Sequence, residues 1–168
     1  MTKKEYVRRY VLFILGLFIL SLGIALATKG NLGVSPVSSI PYVLSLSLPF
    51  TLGQITIVIQ MIYVLIEIAI LRKNFKPFNF LQIGVVVLFG YFNDFSLMLV
   101  SGVHAQHYPA QWLICIISMF LIALGVNMEV RAGVLMLAID GLVVAISKTF
   151  HIDFGKVEVV SDCTQVVI

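Results

Sequence analysis

Charge is what this chain has least of. Lys, Arg, Asp and Glu make up 11% of its residues and hydrophobic residues 60%. Soluble domains usually carry roughly 25% charge, so a water-soluble globule is excluded. The net charge of +3 comes from Lys and Arg at the ends of apolar segments. That placement is a topology signal and argues against a nucleic-acid surface. Cysteine is scarcer still. Cys115 and Cys163 each lie in an apolar run without a second Cys or His at ligand spacing, so neither a disulfide nor a metal site is expected. Nucleotide-binding loops, nucleophile elbows and zinc-enzyme motifs are missing as well. An enzyme is therefore not expected, and no cofactor is implied.

What the chain does have is long apolar runs. Tyr10–Thr28, Gly53–Leu71, Phe78–Ser101 and Ala110–Met128 each offer roughly the 20 residues a helix needs to cross the hydrocarbon. The first run follows a basic start, like a signal peptide, but it is too long for a signal core and more spans follow. Two segments, Val34–Leu48 and Val134–Lys148, are shorter and more interrupted, and a last run from Gly155 to Ile168 is short to cross. The fold class expected is all-α: a polytopic transmembrane helical bundle with two short, re-entrant or broken helical segments and a weak internal repeat.

The repeat aligns "SLGIALATKGNLGV" with "ALGVNMEVRAGV", pairing Gly23 with Gly125, Lys29 with Arg131 and Gly33 with Gly133. Further on, Ser47 pairs with Ser147, Phe50 with Phe150 and Gly53 with Gly155. The domains expected are a first membrane repeat over residues 1–101, with helices near 10–28, 34–48, 53–71 and 78–101. A second, truncated repeat covers 110–168, with helices near 110–128, 134–148 and 155–168. Because the second copy stops inside its third helix, a fragment of a longer protein is expected.

Basic residues choose between topologies. If every segment crosses and the N-terminus is cytoplasmic, six basic residues fall inside and five outside. If Val34–Leu48 and Val134–Lys148 do not cross, Arg72, Lys73, Lys76 and Arg131 move inside, leaving ten inside and only Lys29 outside. The positive-inside rule favours the second arrangement. Each copy then contains three spans, and the odd number inverts the second copy relative to the first.

The stretch "LGVSPVSSIPYVLSLSLPFTLGQ" fits a non-crossing segment. Ser35 followed by Pro36 is a good helix start. Ser35, Ser38, Ser39, Tyr42 and Ser45 share one face, opposite Val37, Ile40, Leu44 and Leu48. Either the hydroxyls line a watered path, or they pack closely and bond back to their own carbonyls. On the next span, Gly53, Thr56, Gln60, Tyr63 and Glu67 form a stripe that should face the bundle interior. Glu67 either joins it or reaches back toward Arg72 and Lys73. Asn93 and Asp94 lie deep within their span, and Asp94 is the leading candidate for a proton- or cation-responsive carboxylate. Asp140 and Asp162 are weaker candidates. His104 and His107 read as loop residues, and Gly16, Gly23 and Ala27 as a helix-packing face. Candidate path-lining or intramembrane polar residues are thus Ser35, Ser38, Ser39, Tyr42, Gln60, Glu67, Asn93, Asp94 and Asp140.

The strings "LGIALATKGNLGVSPVSSIPYVLS", "TLGQIT", "LRKNFKPFNFLQ" and "GLVVAIS…DFGKVEVVSDC" cover much of the chain. In them the sequence resembles the YczE/YyaS/YitT family of bacterial integral membrane proteins. The resemblance implies a multi-pass protein of the bacterial cytoplasmic membrane, and family members are somewhat longer, but it carries over no catalytic residues. The activity expected is that of a small permease-like protein in the lipid bilayer, handling a small solute and able to form a homo-oligomer. The alternative is a non-transporting membrane helper or sensor that binds a partner through its helices.

Overall fold

The computed structural model describes residues 3–30, 32–71, 80–103, 107–135 and 137–167. The basic loop at 72–76 and His104 lie outside the described residues. Seven helices follow in order: α1 Lys3–Gly30, α2 Pro36–Ser47, α3 Leu52–Leu71, α4 Leu81–Leu99, α5 Tyr108–Ala132, α6 Ala138–Phe150 and α7 Phe154–Val167. Four of them, α1, α3, α4 and α5, are long and apolar enough to cross a membrane. They coincide with the four strong runs of the sequence, and the all-α expectation holds.

The helices form two compact units, which do not follow the two sequence copies. One takes Met1–Ser35 with Tyr91–Leu135, the other Pro36–Gly90 with Met136–Ile168, so each unit combines a stretch of both copies. The boundary falls inside α4.

In the first unit α1 packs on α5. A side-chain carbon added at Gly23 would stand 2.9 Å from the Ile122 nitrogen and 3.1 Å from the Ser118 carbonyl oxygen. One added at Gly125 would stand 2.7 Å from the Leu20 nitrogen and 2.9 Å from the Gly16 oxygen. Backbone therefore rests on backbone, which only glycine allows and which is how helices associate in lipid. Going up α1 from Gly16 to Gly23 to Gly30, the partners on α5 step down from Met128 to Ile122 to Ile114, so the two helices are antiparallel.

The contacts also obey the repeat. Gly23 meets Ser118 and Ile122, while its counterpart Gly125 meets Gly16 and Leu20, the counterparts of those same two residues. An antiparallel pair that maps onto itself when the copies are exchanged has a local two-fold axis across it. Beside this seam the Ser21 and Ser96 hydroxyls lie 3.0 Å apart, and Phe18 meets Phe92 edge-on at 5.6 Å between centroids. The outer side of α5 exposes Leu113, Ile116, Met119 and Phe120, an apolar surface suited to lipid.

In the second unit the short helices decide the shape. α2 has 12 residues and α6 has 13. At 1.5 Å per residue these are about 18–20 Å long, against a hydrocarbon core of about 30 Å. Neither reaches across. Pro36 opens α2 where its missing N–H costs nothing. α6 ends on His151, whose left-handed backbone (φ 56°) turns its N–H back to the Ser147 carbonyl. α3 packs on α6 and α2 on α7, while α2 meets α3 and α6 meets α7. Exchanging α2 with α6 and α3 with α7 leaves that set of pairs unchanged. Val64, Val86 and Ala138 form the buried apolar cluster of this unit.

Candidate functional site

The hydroxyl-rich face of α2 turns inward at Ser38, and its aliphatic residues from Val43 onward turn out. Ser38 and Pro41 are buried, whereas Val43, Leu44, Leu46 and Leu48 are exposed. Most of the serines bond backward along the helix. Ser45 donates to the Tyr42 carbonyl at 2.7 Å and Ser47 to that of Val43 at 3.3 Å. Ser39 differs, because its Oγ lies 2.6 Å from the Pro36 carbonyl and 2.9 Å from the Gln165 carbonyl on α7. With one proton to give, it shares it between a local and a distant acceptor. The local reading of the serines thus holds for Ser45 and Ser47, while Ser39 links α2 to α7. Ser35 and Tyr42 are half-buried at the start and middle of the segment.

The α3 stripe points inward along its length. Gly53, Thr56, Gln60 and Glu67 are buried and Tyr63 partly so. Thr56 satisfies its hydroxyl on the Leu52 carbonyl at 2.7 Å. Gln60 is 2% exposed, and its side-chain carbonyl has no hydrogen-bond partner among the described residues. Glu67 does not reach toward water: it is 2% exposed and packed against α6. A side-chain carbon at Gly141 would stand 2.9 Å from its Oε2 and 2.7 Å from Nε2 of Gln82 on α4. The glycine at 141 lets the ends of both side chains lie close against α6.

The two short helices and their neighbours enclose a slot of about 450 Å³, within the size range of small-molecule sites. Ile40 of α2, Tyr63 of α3, Ile139, Leu142 and Ile146 of α6, and Val157, Val160, Ser161, Thr164 and Gln165 of α7 line it, with Ile152 and Lys156 at the α7 entry. Its walls are aliphatic and its few polar groups converge on Gln165. Tyr63 donates from its hydroxyl to Gln165 Oε1 at 3.4 Å, and Gln165 Nε2 donates to the Ser161 carbonyl at 3.4 Å. Tyr63 and Gln165 stand 102 positions apart, the spacing of Gly23 and Gly125, so they are counterparts in the repeat. A residue that touches its own counterpart lies on the local two-fold axis, so one end of the slot, at Tyr63 and Gln165, reaches the axis of this unit.

None of the nine residues named from sequence lines this slot; Ser39 reaches it through Gln165. Asp140 follows Ile139 on α6 and is mostly buried. Burial, with the nearby charges of Glu158 and Asp162, raises its pKa from 3.8 to about 6. In the other unit Asn93 is 2% exposed, with no partner for its side-chain oxygen among the described residues. Asp94 is half-buried beside it on the same helix, and His107 is an exposed residue at the N-terminus of α5. Among the described residues no three His, Cys, Asp or Glu side chains gather where a metal could sit.

Sequence reading passed over Gln165, Gln82 and Glu129, all of them buried. Gln165 could have been found by carrying the repeat register ten residues beyond Gly155, to the counterpart of Tyr63. Gln82 and Glu129 carry no such signal, since each lies near the end of its helix where a polar residue normally meets headgroups or water.

Comparison with known proteins adds a family and no activity. No curated protein and no solved structure matches the chain. Residues 7–168 match the profile of a family of unknown function, DUF6198, and with nearly its whole length covered the chain belongs to that family of multi-pass helical membrane proteins.

Proposed function

We propose that this protein is a small permease-like protein of the bacterial cytoplasmic membrane, built as an inverted repeat with its N-terminus inside. The observation that carries the reading is the antiparallel, self-counterpart pairing of α1 with α5. Two membrane spans that run in opposite directions must be separated by an even number of crossings. α3 and α4 supply two, so α2 enters and leaves by one face. The second copy is then upside down relative to the first, the plan of several secondary transporters, in which short or broken helices flank the substrate near the repeat axis. One end of the slot between α2, α3, α6 and α7 reaches that position within its unit, and buried Gln60 and Glu67 supply polar groups of the kind that mark solute or ion pathways. The resemblance to YczE/YyaS/YitT proteins agrees with a cytoplasmic-membrane protein and adds no substrate.

Solute uptake into sealed vesicles tests the reading. Vesicles carrying the protein accumulate a member of a screened solute panel, and Asp94→Asn slows uptake at least tenfold where the Asp94 carboxyl responds to a proton or cation. Uptake indistinguishable from protein-free vesicles over the whole panel, with one membrane protein co-purifying reproducibly, selects the helper reading instead.

A further inference from the structure

The slot has a polarity that narrows what it can hold. Lys156 and Gln165 lie nine residues apart on α7, about 13 Å along a helix. Between them the walls are Ile139, Leu142, Val157 and Val160. Lys156 is the one charged residue among those lining the slot. At the other end the hydrogen bonds of Gln165 to Tyr63 and Ser39 tie α2, α3 and α7 together. The bonds made there by the Gln165 side chain are long, 3.4–3.5 Å, so a ligand group with better geometry can replace them.

We infer that the slot binds a free aliphatic carboxylate of medium length, with its carboxylate at Lys156 and its chain along α6 toward Tyr63 and Gln165. The inference rests on the permease reading only for its consequence; the binding itself stands or falls on the slot. A phospholipid acyl chain shares the apolar part of this chemistry. It is disfavoured because Lys156 at one end of an aliphatic wall calls for a free anionic group on the chain itself.

Equilibrium dialysis of radiolabelled octanoate against the full chain in phosphatidylcholine nanodiscs tests it, with empty nanodiscs subtracted. Saturable binding is expected, weakened at least tenfold by Lys156→Met and lost in Leu142→Trp, which fills the slot. Because Leu142 is buried, Val160→Trp at an exposed position of the same wall provides the second filling variant. Octylamine, with the same chain and opposite charge, fails to compete. Equal binding by the parent and the Lys156→Met and Val160→Trp variants overturns the inference, as does competition by octylamine. Displacement of octanoate by phosphatidylglycerol added to the nanodiscs, at equal affinity, assigns the slot to lipid and overturns it too. Octanoate that binds but is not taken up by vesicles leaves the site standing and defeats the permease reading. Uptake of other solutes without octanoate binding does the reverse.

Discussion

At the scale of single residues, the glycines differ sharply in what they permit. Gly125 and Gly84 are both helical, yet a side-chain carbon at 125 meets backbone at 2.7 Å and one at 84 meets nothing within 4 Å. Gly125→Ala is expected to push α1 from α5 and cost about 1–3 kcal/mol, whereas Gly84→Ala is neutral or gains up to about 1 kcal/mol. Thermal unfolding of the two variants in one detergent checks the difference. Asp140 gives a pH prediction. Its carboxyl binds a proton more tightly in the fold than in the unfolded chain, so the unfolded state loses its proton first as pH rises. The stabilisation is complete below the ordinary value of 3.8, declines through the interval up to about 6, and is gone above it. In Asp140→Asn that decline should vanish, leaving the variant more stable than the parent at neutral pH. Parallel pH profiles of the melting temperature that never diverge would remove burial as the governing influence on Asp140.

Among the elements, α2 makes the sharpest statement. In the proposed topology α2, only 12 residues long, returns to the face it entered. Cysteines introduced at Leu32 and Thr51, which flank α2, are therefore expected to react with an impermeant thiol reagent from the same, periplasmic side, after Cys115 and Cys163 are replaced by serine. Labelling of the two positions from opposite sides would mean that α2 crosses. The hydroxyl face of α2 was readable from spacing alone, because Ser38, Ser39, Tyr42 and Ser45 recur at helical intervals. What each hydroxyl does was not, since Ser39 finds its second acceptor on α7, more than a hundred positions along the chain.

For the molecule as a whole, the proposed inverted repeat can be checked without knowing a solute. Alkaline phosphatase fused after Gly102 should be active and after Gly133 inactive, because in the proposed topology α4 leaves the cytoplasm and α5 returns to it. A chain in which every helix crosses gives the opposite pair. The sequence aligned the two copies through a few glycines, and the structure gave those glycines a shared duty: Gly23 and Gly125 make the same contact, each with the other copy. The sequence divides the chain into copies at 1–101 and 110–168. The compact units instead draw on both copies: α1 rests its glycine face on α5, α3 packs on α6 and α2 packs on α7.

Local properties were therefore fixed before any fold was known. Hydrophobic run length set four spans and two short helices, since crossing a bilayer depends on residue count and composition alone. Glycine and proline positions set where helices start, end and approach. Only tertiary structure decided that Glu67 turns inward onto Gly141, that Tyr63 meets Gln165, and that a slot opens between the short helices. Those outcomes depend on which helix covers which, and a side chain's partner across the bundle leaves no periodic trace in the segment that carries it.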